Sequence, residues 1–230
     1  MQTNVCIVTG GSRGIGLATA LRFANSHRLV IAARGTERLD DAKAKVEAAG
    51  GLCTAVVADV STADGAKRVV EHAVEAGPLD LLVNNAGTAT LAPIDETTDE
   101  DFQRSLATNV GGVFHMTRAV WPFMRARKSG VIVNVSSVAS IDPFPGFSIY
   151  GGCKAWVNTF TKAVAEEGRP LGIRVFAVAP GAVETELLRS RFPDFPADQA
   201  LDPDDVAAAI QAVCDRRLKH ATGQIIFVRK

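Results

Sequence analysis

The sequence predicts an α/β fold, a doubly wound parallel sheet of seven strands with helices on both faces. Short apolar runs alternate regularly with longer stretches whose apolar residues recur at a spacing near 3.6. Most of the short runs are apolar throughout, as expected for strands covered on both faces. The 230 residues contain no internal repeat, no low-complexity tract and no linker-like stretch, so residues 1–230 are expected to form a single domain.

Val5 to Thr9 opens the pattern as a strand and is followed by a glycine-rich turn and a helix over Ile15 to Asn25. A second strand, Arg28 to Ala33, leads into a helix over Thr36 to Ala49 rich in Ala, Glu and Lys. Strand Leu52 to Ala58 is followed by helix Ala63 to Ala76, and strand Leu79 to Val83 by one long helical stretch, Asp99 to Arg127. Strand Val131 to Ser136 precedes helix Ile149 to Gly168, and strand Gly172 to Val178 precedes helix Asp204 to Arg217. The acidic cluster Asp202-Pro-Asp-Asp205 marks that last helix start, where carboxylates complement the helix dipole. Gln224 to Val228 is the seventh strand. Strictly alternating strands and helices imply right-handed βαβ crossovers and a Rossmann-type sheet.

Composition excludes several classes of function. The 25 basic and 25 acidic residues balance, so nothing marks the chain for nucleic acid. No apolar run approaches the roughly 18 residues that span a bilayer, and Met1 to Asn4 lacks a signal-peptide character. Cys6, Cys53, Cys153 and Cys214 are scattered, as are His27, His72, His115 and His220. Free thiols in a reducing, cytoplasmic setting and no metal site are therefore expected.

Glycines at 10, 14 and 16 lie between the first strand and its helix, within Thr9-Gly-Gly-Ser-Arg-Gly-Ile-Gly16. Missing side chains let the backbone approach a pyrophosphate, and a helix N-terminus supplies free N–H groups and partial positive charge. The second strand ends in Ala32-Ala33-Arg34-Gly35, without the acid that holds a ribose 2′-hydroxyl in NAD sites. Arg34, with Arg13 from the glycine turn, can pair with a 2′-phosphate, so NADP(H) is preferred while NAD(H) stays possible.

Tyr150 and Lys154 stand one helical turn apart, and Ser137 lies upstream at a strand end. A nearby ammonium favours the phenolate and is expected to lower the Tyr150 pKa from about 10, making the hydroxyl a usable acid or base. Three connections following strands should rim the ligand crevice: Thr88 to Asp95, Ile141 to Ser148 and the irregular Ala182 to Pro203. They carry Pro93, Phe144, Phe147, Phe192 and Phe195, which either line a pocket for an apolar substrate or anchor the loops.

Taken together these motifs resemble the short-chain dehydrogenase/reductase family, in its single-domain form. The resemblance runs in order from residue 9 to 185. It assigns Gly10, Ser12, Arg13, Gly14, Ile15 and Gly16 to the cofactor turn and Asp59 and Val60 to the adenine. It also covers Asn84-Asn-Ala-Gly87, in which Asn85, Ala86 and Gly87 would face the cofactor, with Asn85 on the adenosine ribose. Pro180, Gly181, Val183 and Thr185 would lie on the nicotinamide side, the Pro-Gly pair also serving to end a strand. Asn109, Ser137, Tyr150 and Lys154 match the family's catalytic set. The resemblance implies that Tyr150 exchanges the proton and Ser137 binds the substrate oxygen. Lys154 would hold the ribose, and Asn109 would place a relay water.

Two departures are visible. The chain stops at Phe227-Val-Arg-Lys230 where relatives often carry Asp-Gly-Gly, which leaves the implied homodimer or homotetramer open. Gly151 and Gly152 follow Tyr150, and either loosen the helix start or make room for substrate. The expected activity interconverts a small, apolar carbonyl compound and its alcohol. The alternative is a non-catalytic dinucleotide-binding protein of the same fold, which the presence of both Tyr150 and Lys154 disfavours.

Overall fold

A computed structural model describes residues 4–230; Met1, Gln2 and Thr3, part of the start read above as lacking signal-peptide character, lie outside the described residues. The strands are β1 (Val5–Thr9), β2 (Arg28–Ala33), β3 (Leu52–Val57), β4 (Leu79–Asn84), β5 (Gly130–Val135), β6 (Ile173–Pro180) and β7 (Ile225–Val228). They form one seven-stranded sheet in the order β3-β2-β1-β4-β5-β6-β7, every pairing parallel. The helices are α1 (Gly14–Phe23), α2 (Thr36–Ala48), α3 (Ala63–Ala76), α4 (Asp99–Leu106), α5 (Gly112–Arg127), α6 (Ser148–Gly168), α7 (Glu186–Arg191) and α8 (Pro203–Cys214).

Alternation along each strand feeds two core layers. Val5 and Ile7 of β1 pack in one layer with Val69 of α3, Met116 of α5 and Val164 of α6. Cys6 and Val8 pack in the other with Phe23 of α1, Leu39 of α2 and Ile210 of α8. Both faces of the strand are thus dry, which is why its sequence is apolar without a break. Each such buried aliphatic side chain contributes about 1.5–3 kcal/mol relative to exposure. No helix among the described residues is long and apolar enough to cross a membrane.

Three expectations are corrected by the structure. The stretch Asp99 to Arg127 is not one helix: a π-helical turn over Ala107–Gly111 separates α4 from α5. The Asn109 side chain donates to the Ser105 carbonyl at 3.1 Å, the group its own backbone N–H would use in an α-helix, and a wider turn results. The segment from 182 to 203 is not irregular throughout, because Thr185 caps α7 by accepting from the Leu188 N–H at 3.2 Å. Six residues are too few for a helical period to show in sequence. The last helix ends at Cys214 rather than Arg217, because the Asp215 carboxylate turns back to accept from the Arg217 N–H at 2.8 Å. Its start follows the acidic cluster, with a capping box between Asp202 and Asp205 and Pro203 in the first turn.

The sheet order reverses between β1 and β4, whose carboxyl ends therefore splay helices to opposite faces. A crevice opens at this switch point, where ligands of open α/β sheets bind.

Candidate active site

The crevice is a continuous cavity of 1140 Å³ running from the β1–α1 turn to the loops beyond β5 and β6. That exceeds the roughly 300–1,000 Å³ of ordinary small-molecule pockets. At one end Gly10, Ser12, Arg13, Gly14 and Ile15 line it, with Arg34, Asp59 and Val60 beside them. At the other end stand Ser137, Tyr150 and Lys154, with Asn109, Gly87, Pro180, Gly181, Val183 and Thr185 between. Asn85 and Ala86 also line the cavity, whereas Gly16 sits behind it, buried.

The turn is built by contacts only glycine permits. A Cβ on Gly16 would lie 2.2 Å from the Gly10 carbonyl oxygen, so α1 can start this close to β1 only without a side chain there. Gly10 has a φ of +64°, in the left-handed region that favours glycine. Helix α1 has no acidic residue in its first turn and no side chain capping it. Its leading N–H groups are consequently available to an anion. The missing side chain of Gly14 leaves a gap to Thr185, whose Cγ2 would be 3.1 Å from a Cβ.

The Asn85 side chain is engaged at the glycine turn. Its amide donates to the Thr9 and Gly10 carbonyls at 3.0 and 3.2 Å, and the Thr9 hydroxyl accepts from the Asn85 and Ala86 N–H groups at 3.0 Å each. Asn85 therefore clamps β4 to the glycine turn. Asp59 accepts from the Ser61 N–H at 3.0 Å; the Ser61 hydroxyl above all, offset by partial burial and aided by that N–H and the nearby Arg34 charge, holds its carboxyl below the ordinary value.

At the far end, Lys154 is buried on α6 and donates to the Val135 carbonyl at 2.8 Å. Burial alone among the large causes pulls its ammonium down to about 8. Its Nζ stands 5.6 Å from the Tyr150 ring centre. The expected lowering of the Tyr150 pKa is corrected: burial raises it, the Ser137 hydroxyl pulling back only in part. The cause is geometric, since Lys154 aims its charge at a backbone carbonyl rather than at the phenol oxygen. Asn109 donates to Thr88 O at 2.9 Å and accepts from Thr88 N at 3.1 Å, pinning the loop after β4. A Cβ on Gly87 would meet Asn109 Oδ1 at 3.0 Å and Lys154 Nζ at 3.7 Å, so these three positions converge.

The two glycines after Tyr150 separate into different roles. A Cβ on Gly151 would lie 2.7 Å from the Ala139 carbonyl and 3.0 Å from Pro143, so α6 presses directly on the turn that carries Ser137. Gly152 faces open space. Gly152→Ala should stabilise the protein by about 0.4–1 kcal/mol, read as a rise in the denaturation midpoint. Gly151→Ala should lower that midpoint, because backbone rather than a flexible side chain is in the way.

The Phe-bearing loops do rim the crevice. Phe144, Phe147 and Phe192 form a cluster with ring centres 4.4 to 6.0 Å apart, and Phe147 reaches the Tyr150 ring at 5.1 Å. Among the wall residues that sequence reasoning did not single out are Arg38 of α2 and Glu186 of α7. Arg38 donates to Glu186 Oε2 at 2.8 Å, and Arg13 pairs with the same oxygen. A second arginine four residues after Arg34 was the available signal for Arg38; nothing local marks Glu186.

The fold and the sequence are both similar to those of known proteins. The chain superposes on a crystal structure of an actinorhodin polyketide ketoreductase variant with NADPH at a TM-score of 0.94, with 30% identity over 100% of this chain and 98% of that one. It is 37% identical to the 3-oxoacyl-[acyl-carrier-protein] reductase FabG of Thermotoga maritima, across 99% of this chain and 97% of that protein. It is also 37% identical to 3beta-hydroxysteroid dehydrogenase 1 of Eggerthella lenta, across 99% of this chain and 93% of that protein. Residues 4–195 match the family model described as short chain dehydrogenase. With that match over most of its length and two relatives at 37% identity, the chain belongs to the short-chain dehydrogenase family of oxidoreductases.

Proposed function

We propose that residues 1–230 act as one dinucleotide-binding and catalytic domain, an NADP(H)-dependent oxidoreductase that interconverts a ketone or aldehyde and its alcohol. The observation that carries this reading is the convergence of Ser137, Tyr150 and Lys154 at one end of a cavity whose other end is the glycine turn with Arg13, Arg34 and Arg38. Gly10 through Gly16 and the start of α1 would hold the pyrophosphate, with Asp59 and Val60 at the adenine. Pro180, Gly181, Val183 and Thr185 would lie at the nicotinamide. When bound, the nicotinamide donates or accepts the hydride.

Tyr150 then works as general acid in reduction and general base in oxidation. Its raised pKa keeps the phenol protonated at neutral pH, ready to donate to a carbonyl oxygen. Ser137 donates a second hydrogen bond to that oxygen and stabilises charge developing on it. Lys154 supplies a buried positive charge beside the phenol and a donor for ribose hydroxyls. Asn109 fixes the π turn next to Gly87 and Lys154, where a relay water would sit.

The Phe144, Phe147 and Phe192 rings favour a small, apolar substrate. One relative is named a reductase of 3-oxoacyl groups and another a dehydrogenase of hydroxysteroids, so both members of a carbonyl–alcohol pair appear among them. The neighbouring ketoreductase was solved with NADPH. We also propose a cytoplasmic homodimer or homotetramer packed through α4, α5 and α6, whose Phe102, Phe114 and Phe123 are exposed.

Fluorescence titration with NADPH and NADH tests the cofactor assignment. Wild-type protein should bind NADPH more tightly. Arg34→Ala should weaken NADPH by about tenfold or more, the cost of a lost charge-assisted hydrogen bond, and leave NADH alone. Equal affinities unmoved by that variant would overturn the NADP(H) reading.

The pH profile of kcat/KM for NADPH, which reports groups of the free enzyme, gives a separate check. Lys154 is charged below its lowered value of about 8 and neutral above it. Reduction should therefore be level through neutral pH and fall above about 8, with Tyr150 still protonated where the fall begins. Lys154→Arg, which keeps its charge, should retain whatever residual activity it has past that point.

A further inference from the structure

Glu186 ties three elements of the crevice wall together. It is the first residue of α7, and its Oε2 accepts from Arg38 Nη1 of α2 at 2.8 Å and from Arg13, the residue preceding α1. The three side chains are exposed by 50 to 58% of their surface, so the contact adds little to the stability of the fold. Nor is it the main support of α7. Thr185 caps the helix, and Arg189 braces it by pairing with both oxygens of Glu184 and donating to the Pro193 and Phe195 carbonyls. What Glu186 does is hold the start of this self-braced segment against the adenosine end of the crevice. Arg34, on the same wall, forms no hydrogen bond or ion pair among the described residues.

Two guanidiniums on one carboxylate oxygen leave positive charge uncompensated. A phosphate monoester has more charge and three acceptor oxygens, and can take both arginines and Arg34 together. Resting on the NADP(H) reading above, we propose that Glu186 is a specificity-determining latch. It occupies Arg13 and Arg38 in place of the 2′-phosphate, and a 2′-phosphorylated dinucleotide takes them from it and releases the start of α7. A dinucleotide with a free 2′-hydroxyl leaves the latch closed. Because coupling is reciprocal, the latch lowers affinity for the 2′-phosphate by the factor by which the phosphate disfavours the latch.

The test combines binding with amide hydrogen exchange. Glu186→Gln removes the charge and keeps the shape; it should tighten NADPH binding by about two- to fivefold, the scale of an exposed ion pair, and leave NADH unchanged. In the wild type, 2′,5′-ADP should speed exchange at the amides of Leu188, Arg189 and Phe192, and 5′-AMP should not. In Glu186→Gln those amides should exchange about two- to fivefold faster than in the wild type without ligand, the scale of the lost ion pair. An unchanged NADPH-to-NADH ratio in Glu186→Gln, or exchange indifferent to 2′,5′-ADP, overturns the latch; if Arg34→Ala still weakens NADPH, the NADP(H) reading survives alone. If neither variant moves NADPH affinity, both fall together.

Discussion

Tyr150→Phe should reduce turnover by about 10²–10⁴-fold, the share that a positioned acid or base supplies, while NADPH binding is retained. Burial holds the phenol protonated, so the wild-type side chain is a proton donor at neutral pH. Phenylalanine keeps the ring and its contact with Phe147 but has no proton to give. Ser137 cannot substitute, because a serine hydroxyl does not ionise near neutral pH and so can hydrogen-bond the oxygen without giving up its proton. Steady-state rates with a carbonyl substrate, alongside NADPH titration, separate the two functions. Unchanged turnover would refute Tyr150 as the acid; a wild-type protein that binds NADPH and reduces no carbonyl would favour the non-catalytic alternative.

Gly16→Ala should abolish measurable dinucleotide binding and lower stability by about 1–3 kcal/mol, the usual cost of overpacking. For a chain of this size that is a fall of roughly 2–12 °C in Tm. The added carbon would lie 2.2 Å from the Gly10 carbonyl and 2.6 Å from the Asn85 amide. A backbone carbonyl has no rotamer to escape into, so the turn itself must move, and with it the N–H groups at the start of α1. Thermal denaturation and NADPH titration read the two effects. Normal binding by this variant would show that the pyrophosphate site lies elsewhere.

Much of this was legible along the chain. The seven strands fall within two residues of the runs read as strands, because both faces of the central ones are buried and apolarity is then continuous. The acid cluster at Asp202 marked a helix start because capping is local chemistry. The π turn at Ala107–Gly111 was not legible, since it depends on a side-chain bond to Ser105 and on Thr88 from a distant loop. Helix α7 was hidden by its length, and Arg38 pairs with a residue 148 positions away that no local pattern points to.

The sequence by itself determined the sheet, its helices and the kinds of residue available for chemistry. Strand burial, glycine spacing and capping act over a few residues and leave a mark in order. Only the tertiary structure decided the charge states and partners of those residues. The Tyr150 phenol is raised rather than lowered because burial outweighs the Ser137 hydrogen bond, while Lys154 is turned toward Val135. Asn85 serves the glycine turn, and Glu186 meets arginines that lie 173 and 148 residues away. Desolvation and ion pairing depend on distances in space, and no local pattern encodes them.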